Sequence, residues 1–107
     1  MKQAIELSEI QRAAIKAAFQ PFANSIAVVG VYGSRAQGSA RPGSDVDLVV
    51  YGSLSDADVE YIRGELEAGD LSVFADVVCY AHIQHAVLKS QIDKWMKPLF
   101  RQNELLN

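Results

Sequence analysis

The first part of the chain carries apolar residues at the spacing of an amphipathic helix. In the segment LSEIQRAAIKAAFQPF, apolar residues return every three to four positions, so that they line one side of a helix. Ser8 and Gln11 have the spacing of a capping box, and Pro21 is a stop signal. The pattern predicts a helix from about Ser8 to Gln20.

Two later segments show the same helical spacing. The segment SLSDADVEYIRGELEAGDL has Ser55 and Asp58 in positions suited to capping, and Gly69 in a position suited to ending the helix. The segment HIQHAVLKSQIDKWMKPLF keeps helical spacing until Pro98 interrupts it. Both segments are therefore predicted to be helices.

Three short apolar runs predict buried strands: SIAVVGVYG, DVDLVVYG and LSVFADVVCY. The loop between the first two contains too many glycine and proline residues for a long helix, although SRAQG is compatible with one helical turn. The predicted fold class is α/β (α+β), with a small mixed β-sheet flanked by helices. Because 107 residues suit one compact domain, residues 1–107 are expected to form a single domain.

Composition narrows the possible functions. The formal net charge of −3 argues against a nucleic-acid polymer bound through a broad basic face, but not against a nucleotide. The single cysteine, Cys79, fits a reducing compartment, and no apolar run approaches the roughly 18 residues that a membrane helix needs. A cytoplasmic protein is the expectation.

Two aspartates stand one residue apart at the start of the second predicted strand. Because side chains alternate across a strand, Asp45 and Asp47 are expected on the same face, two rises of about 3.3 Å apart. Two like charges at that distance favour a shared cation, and Mg²⁺ prefers carboxylate, water and phosphate oxygens. The alternative is that Asp45 caps a turn and that Asp47 is exposed at a strand edge.

A third aspartate, Asp76, lies within the apolar run VFADVVC, where an unpaired charge is costly. If its strand lies beside that of Asp45 and Asp47, the three carboxylates can hold two metal ions about 3.5 to 4 Å apart. Asp70 is a competing candidate, but its position after Gly69 is more typical of a turn.

Gly33 and Ser34 follow the first predicted strand and precede the possible helical turn. Glycine permits close backbone approach to an anion, and Ser34 can donate its hydroxyl, so the pair is a candidate phosphate-binding turn. The alternative is a tight turn without a ligand. The spacing is not that of a Walker loop or a dinucleotide-binding fingerprint.

The motif of Gly33-Ser34, ten intervening residues and Asp45-Val46-Asp47 resembles that of the DNA polymerase beta-like nucleotidyltransferase superfamily. The segment GSRAQGSARPGSDVDLVV is similar to that of its minimal nucleotidyltransferases, the MntA-type antitoxins, and the resemblance covers roughly residues 25–80. It implies a polymerase beta-like palm.

The resemblance also implies roles for individual residues. Asp45, Asp47 and Asp76 match the catalytic, metal-binding carboxylates for two Mg²⁺ ions, and Gly33 and Ser34 match the residues that hold the triphosphate of ATP. Asp76 is the expected proton acceptor.

Arg35 is expected to contact phosphate, with a solvated loop arginine as the alternative.

The family implies a partner as well. Its members transfer AMP from ATP to a tyrosine of a HEPN-domain (HepT-type) toxin, a ribonuclease, and so neutralise it. Two alternatives stay open: an antitoxin that blocks the toxin by binding alone, and a nucleotidyltransferase acting on a small molecule such as an antibiotic. Candidate contacts to the partner lie in the C-terminal tail, although core packing is the favoured interpretation: Leu99, Phe100, Leu105 and Leu106.

A metal site of a different type is suggested by the spacing of Cys79, His82 and His85. Because only three ligands are visible, a buried thiol and two surface histidines are the favoured interpretation.

Overall fold

The computed structural model describes residues 5–41 and 43–107. Five helices and four strands alternate along this part of the chain, and two short 3₁₀ helices, Gln20–Ser25 and Tyr80–His82, connect them. In chain order the elements are α1 (Glu9–Phe19), β1 (Ile26–Tyr32), α2 (Ser34–Gln37), β2 (Val46–Gly52), α3 (Asp56–Ala68), β3 (Ala75–Cys79), α4 (Ala86–Trp95), β4 (Lys97–Arg101) and α5 (Gln102–Leu106).

The strands form one mixed sheet in the order β3-β2-β1-β4. Strand β1 is antiparallel to both β2 and β4, whereas β2 and β3 are parallel and are joined by α3. The predicted fold class, a small mixed sheet flanked by helices, is confirmed. Strand β4 was not predicted, since Pro98 reads as an interruption; proline is compatible with an edge strand, which β4 is.

The two longest helices begin at the predicted capping boxes. In α1 the backbone N–H of Gln11 donates to Ser8 Oγ at 3.1 Å, and the N–H of Ser8 donates to Gln11 Oε1 at 3.0 Å. Ser55 and Asp58 make the same reciprocal pair at the start of α3. Each box satisfies two N–H groups that a helix end leaves without partners, so local sequence fixes where both helices start.

One face of the sheet carries the main core. Alternate residues of β1, β2 and β3 point toward α1 and α3, which supply the other half of this core. Its fully buried large side chains include Ile15, Phe19, Val31, Leu48 and Ile62.

The opposite face holds a smaller apolar cluster. Its buried members are Tyr32, Val49 and Ile92, and Ile92 comes from α4. Because side chains alternate along a strand, Asp47 and Asp76 share this second face, toward the start of β2 and β3. The second face is therefore apolar under α4 and acidic beyond it.

The C-terminal tail packs against the protein itself. Leu99 and Leu105 are buried in the main core, so they are not available to a partner, and Phe100 packs against this core while staying partly exposed. Core packing, the favoured interpretation, is confirmed for Leu99 and Leu105, which lie on β4 and α5. Leu106 alone among the four is exposed, at 55%.

Within the described residues, no helix has both the length and the apolar content required to cross a membrane.

Candidate active site

Asp47 and Asp76 lie side by side on neighbouring strands. In the parallel pairing of β2 with β3 they occupy the same register position. Residues in register on adjacent strands point to the same face, so the two carboxylates share one end of the sheet. The expected adjacency of the two strands is confirmed, and it brings an aspartate from each to one place. Metal binding by these residues stays a prediction.

The negative charges at this end of the sheet help to raise the pKa values of Asp47 and Tyr32. Partial burial, and then the negative charges of Asp76 and Asp45, raise the pKa of Asp47 above its usual 3.8. Tyr32 pairs with Asp47 across the β1–β2 ladder, and its own burial together with the charges of Asp47 and Asp76 raises its pKa to about 12. This end of the sheet is thus a region of concentrated negative charge.

Asp45 is placed differently from the other two aspartates. It precedes the first residue of β2 and is exposed, and its influence on Asp47 is the charge effect described above. As the side chains are placed, the described residues contain no group of three or more His, Cys, Asp or Glu able to hold a metal ion. The pair of strand carboxylates still fits Mg²⁺, which commonly takes one or two carboxylates and completes its shell with water and phosphate oxygens.

Gly33 packs directly against the Asp47 carboxylate. A Cβ at position 33 would collide with Asp47 Oδ2, and the backbone has φ +73°, a conformation that side chains other than glycine rarely adopt. The N–H groups of Ala36 and Gln37 both donate to Gly33 O at 3.1 Å and close the turn that begins α2. The predicted phosphate-binding turn therefore lies against the carboxylate pair, and Ser34 follows at the first position of α2.

Arg35 has a structural position rather than the expected one. Its side chain is buried, and it donates through Nη1 to Glu6 O at 2.7 Å and through Nη2 to Ser44 O at 2.8 Å. Its Nε also donates to Ser44 O, at 3.3 Å. The guanidinium is turned inward, where it ties the segment before α1 to the loop that leads into Asp45, and a phosphate contact by Arg35 stays a prediction. Neither partner is a neighbour in sequence, so the motif alone gave no sign of this.

The sequence pattern did not indicate that Arg63 lies beside Asp76. It lies on α3, and its Nη2 donates to Val77 O at 2.7 Å and stands 3.6 Å from Asp76 Oδ1. Its Nη1 pairs with Glu60 one turn earlier on the helix. The one available signal was its position beside the apolar face of α3, next to Ile62, which a helix crossing over β3 would bring close to that strand.

The residues of the second predicted metal site have other contacts. Cys79 is buried, whereas His82 and His85 are exposed. His82 Nδ1 lies 3.2 Å from Asp56 Oδ1, and His85 Nδ1 accepts the N–H of Leu88 at the start of α4. The favoured interpretation, a buried thiol and two surface histidines, is confirmed.

Comparison with known proteins gives one family match. The family described as Polymerase beta, Nucleotidyltransferase matches residues 13–105. A search of the curated proteins found no match.

Solved structures share the fold. A structure described as a minimal nucleotidyltransferase is 32% identical, with a TM-score of 0.62 over 81% of this chain and 90% of that chain. A toxin–antitoxin structure with AMP-PNP is 19% identical, with a TM-score of 0.70 over 89% of this chain and 80% of that one. A third, the tri-AMPylated Shewanella oneidensis HEPN toxin in complex with MNT antitoxin, is 17% identical, with a TM-score of 0.66 over 87% and 71% of the two chains.

Proposed function

Because this chain belongs to the polymerase beta nucleotidyltransferase family, we propose that it is an antitoxin that transfers AMP from ATP to a tyrosine hydroxyl of a HEPN-domain (HepT-type) toxin. The observation that carries the proposal is the contact between Gly33 and Asp47, with Asp76 in register beside it. It places a candidate phosphate-binding turn and two carboxylates within one short stretch of surface.

The proposed roles follow from this placement. Gly33 and Ser34 hold the triphosphate of ATP, because a turn without a Cβ allows phosphate oxygens to approach the backbone. Asp47 and Asp76, joined by the exposed Asp45, hold Mg²⁺. Bound Mg²⁺ would make the acceptor hydroxyl more acidic and would neutralise charge on the pyrophosphate that departs.

The chemical step is a displacement at the α-phosphorus. The tyrosine oxygen forms a bond to this phosphorus, the bond to the bridging oxygen breaks, and pyrophosphate leaves with that electron pair. The hydroxyl proton passes to Asp76, which we propose as the acceptor because its carboxylate is about half exposed at the outer strand of the pair. Arg35 takes no part in this step, since its guanidinium is engaged with backbone carbonyls.

The partial exposure of Asp47 and Asp76 supports a protein acceptor. Two clefts, of about 380 and 320 Å³, lie along the outer side of β3, and neither is lined by Asp47 or Asp76. Since the Asp76 side chain is about half exposed, a partner protein can bring its acceptor to the carboxylates and exclude water from them. The similar fold in toxin–antitoxin complexes, one of them with an AMPylated HEPN toxin, makes such a toxin the proposed partner.

We further propose that residues 1–107 act as a single nucleotidyltransferase domain and that they act in the cytoplasm. The family match over residues 13–105 and the continuous main core support the first proposal. The single free cysteine supports the second.

The test mixes the purified protein with ATP labelled at the α-phosphate, Mg²⁺ and a purified HEPN-domain (HepT-type) toxin. We expect label on a toxin tyrosine and loss of ribonuclease activity. Asp47→Asn should reduce labelling by about 10²–10³-fold, the usual cost of removing one electrostatic group from a catalytic site. The matched control is Asp70→Asn, which makes the same chemical change at an exposed turn and should leave labelling unchanged.

Two results would contradict the proposal. Inhibition of the ribonuclease without label on the toxin, with wild-type protein and Asp47→Asn equally inhibitory, would indicate an antitoxin that acts by binding alone. Label on a small molecule in place of the toxin would indicate an enzyme of the antibiotic-modifying type.

A further inference from the structure

Arg63 stands at the outer side of the strand that carries Asp76. Strand β3 is an edge strand, and α3 crosses beside it, so a side chain from the helix reaches the side of β3 that faces away from β2. From there Arg63 Nη2 lies 3.6 Å from Asp76 Oδ1. Asp76 therefore has a carboxylate neighbour in register on one side, Asp47, and a guanidinium on the other.

The guanidinium is anchored to the strand and not only to the aspartate. The donation from Nη2 to Val77 O, at 2.7 Å, is the short contact, whereas 3.6 Å to Asp76 is the distance of an ion pair rather than of a hydrogen bond. Nη1 is held in turn by Glu60. Because Val77 follows Asp76 directly, the anchor fixes the positive charge relative to the backbone that carries the carboxylate.

A positive charge at this position reduces the repulsion between the two carboxylates. Asp47 and Asp76 carry like charges and lie in register, so each carboxylate repels the other. A fixed cation 3.6 Å from Asp76 Oδ1 offsets part of that repulsion. Groups that hold a metal ligand in this way typically change metal affinity or activity by 10- to 100-fold when removed.

We propose that Arg63 is a positioning residue for the metal-binding carboxylates: from the outer side of β3 it holds Asp76 beside Asp47 in the orientation that binds Mg²⁺. The inference rests on the function proposed above. It assigns Arg63 no contact with substrate, since its described contacts are Val77, Asp76 and Glu60.

The test measures metal binding directly, with Mn²⁺ as a paramagnetic substitute for Mg²⁺ and without ATP or toxin. Arg63→Gln removes the charge and keeps an amide donor that can reach toward Val77 O. We expect it to weaken Mn²⁺ binding by about 10-fold. Arg63→Lys keeps the charge without the planar fork and should lose less. If circular dichroism shows that the glutamine variant does not fold, the lysine variant carries the test through its smaller loss.

Two controls separate positioning from general stability. Arg12→Ala removes another helical arginine whose Nη2 donates to a backbone carbonyl, that of Ile5, at 3.3 Å, and it should leave Mn²⁺ affinity unchanged. In an Asp76→Asn background, Arg63→Gln should cause no further loss of Mn²⁺ affinity, because the group that it positions is gone. A merely structural arginine would leave affinity unchanged and lower thermal stability equally in both backgrounds.

The outcomes distinguish this inference from the proposed function. If Asp47→Asn weakens Mn²⁺ binding but Arg63→Gln leaves it within twofold of wild type or makes it tighter, the role of Arg63 is overturned and the metal site stands. If Asp47→Asn also leaves Mn²⁺ binding unchanged, the proposed function itself has failed.

Discussion

The two faces of the sheet differ in what their alternate residues do. On the face toward α1 and α3, β2 contributes Val46, Leu48 and Val50, all with no exposed surface. On the opposite face the same strand contributes Asp47 at its start and Val49, covered by α4, farther along. One strand thus contributes apolar residues to the core on one face and a charged residue on the other. Residues that stabilise the fold and residues proposed for chemistry are therefore adjacent in sequence.

This separation explains how the chain tolerates crowded charges. The main core is continuous through α1, α3 and three strands, and its contribution does not depend on the acidic end of the sheet. At the acidic end the charged form of Asp47 is disfavoured, because partial burial and then the charges of Asp76 and Asp45 raise its pKa. We expect substitutions on the two faces to have opposite effects, and the variants below test this.

Asp47→Asn should have the largest effect on chemistry and the opposite effect on stability. Transfer should fall by about 10²–10³-fold. The raised pKa means that the folded protein disfavours the charged carboxylate, so the free energy of unfolding at pH 7 should rise in the asparagine variant. The gain should shrink as pH falls through the folded-state pKa and vanish below about 3.8. Urea unfolding across this pH range measures it, with exposed Asp45→Asn expected to gain less.

Leu48→Ala, at the next position of the same strand, should do the reverse. Leu48 is fully buried in the main core, so truncation leaves a cavity and should lower the free energy of unfolding by about 2–5 kcal/mol. Urea unfolding measures the loss. At a temperature where the variant is folded, its Mn²⁺ affinity should equal that of wild type. A tenfold weaker affinity would contradict the separation of the two faces.

Arg35→Met should lower the free energy of unfolding by less than a core truncation and by more than a surface substitution. It removes the donor to Glu6 O and to Ser44 O, and the loss of part-buried hydrogen bonds from a charged donor should lower the free energy of unfolding by about 1.5–3 kcal/mol. Thermal unfolding measures the loss, and Arg41→Met, at an exposed position in the loop that follows α2, is the matched control. Unchanged stability accompanied by weaker ATP binding would instead restore the phosphate role expected from the sequence.

The smallest effect is expected at the far end of the second face, where Tyr80 donates to Asp93 Oδ1 at 2.7 Å. This hydrogen bond, with further help from burial and the charge of Asp93, raises the pKa of Tyr80 from 10.0 to about 12. Its stabilising effect is complete below pH 10 and is lost as pH rises through about 12. Because the charge of Asp93 also raises the pKa of Tyr51, ultraviolet titration of Asp93→Asn should show Tyr80, and to a smaller extent Tyr51, ionising at lower pH than in wild type, with Asp70→Asn as the unchanged control.

Local signals predicted much of the fold. The capping boxes at Ser8 and Ser55 fixed two helix starts because their hydrogen bonds join residues three apart. Strand β4 was not predicted because its five residues include Pro98 and show little alternation of apolar and polar residues. As an edge strand, β4 forms by pairing with β1, and the local sequence pattern does not indicate that pairing.

The candidate site was predicted only in part for the same reason. Spacing identified Gly33, Asp45 and Asp47 as a motif, and the apolar surroundings of Asp76 marked it as unusual. The inward turn of Arg35 and the position of Arg63 depend on distant carbonyls, those of Glu6 and Val77, that only the folded chain brings near. Charged residues beside a motif are therefore the least predictable part of such a site.

The strand order also has a kinetic consequence. Strand β1 lies in the middle of the sheet, between β2 and the last strand of the chain, and Val31 pairs with Lys97 across most of the sequence. Closing so long a loop costs entropy before any of its contacts form, and domains rich in such contacts fold more slowly than helical bundles of equal size. The β1–β2 hairpin can form early, whereas the docking of β4 against β1 is expected to be a late event in folding.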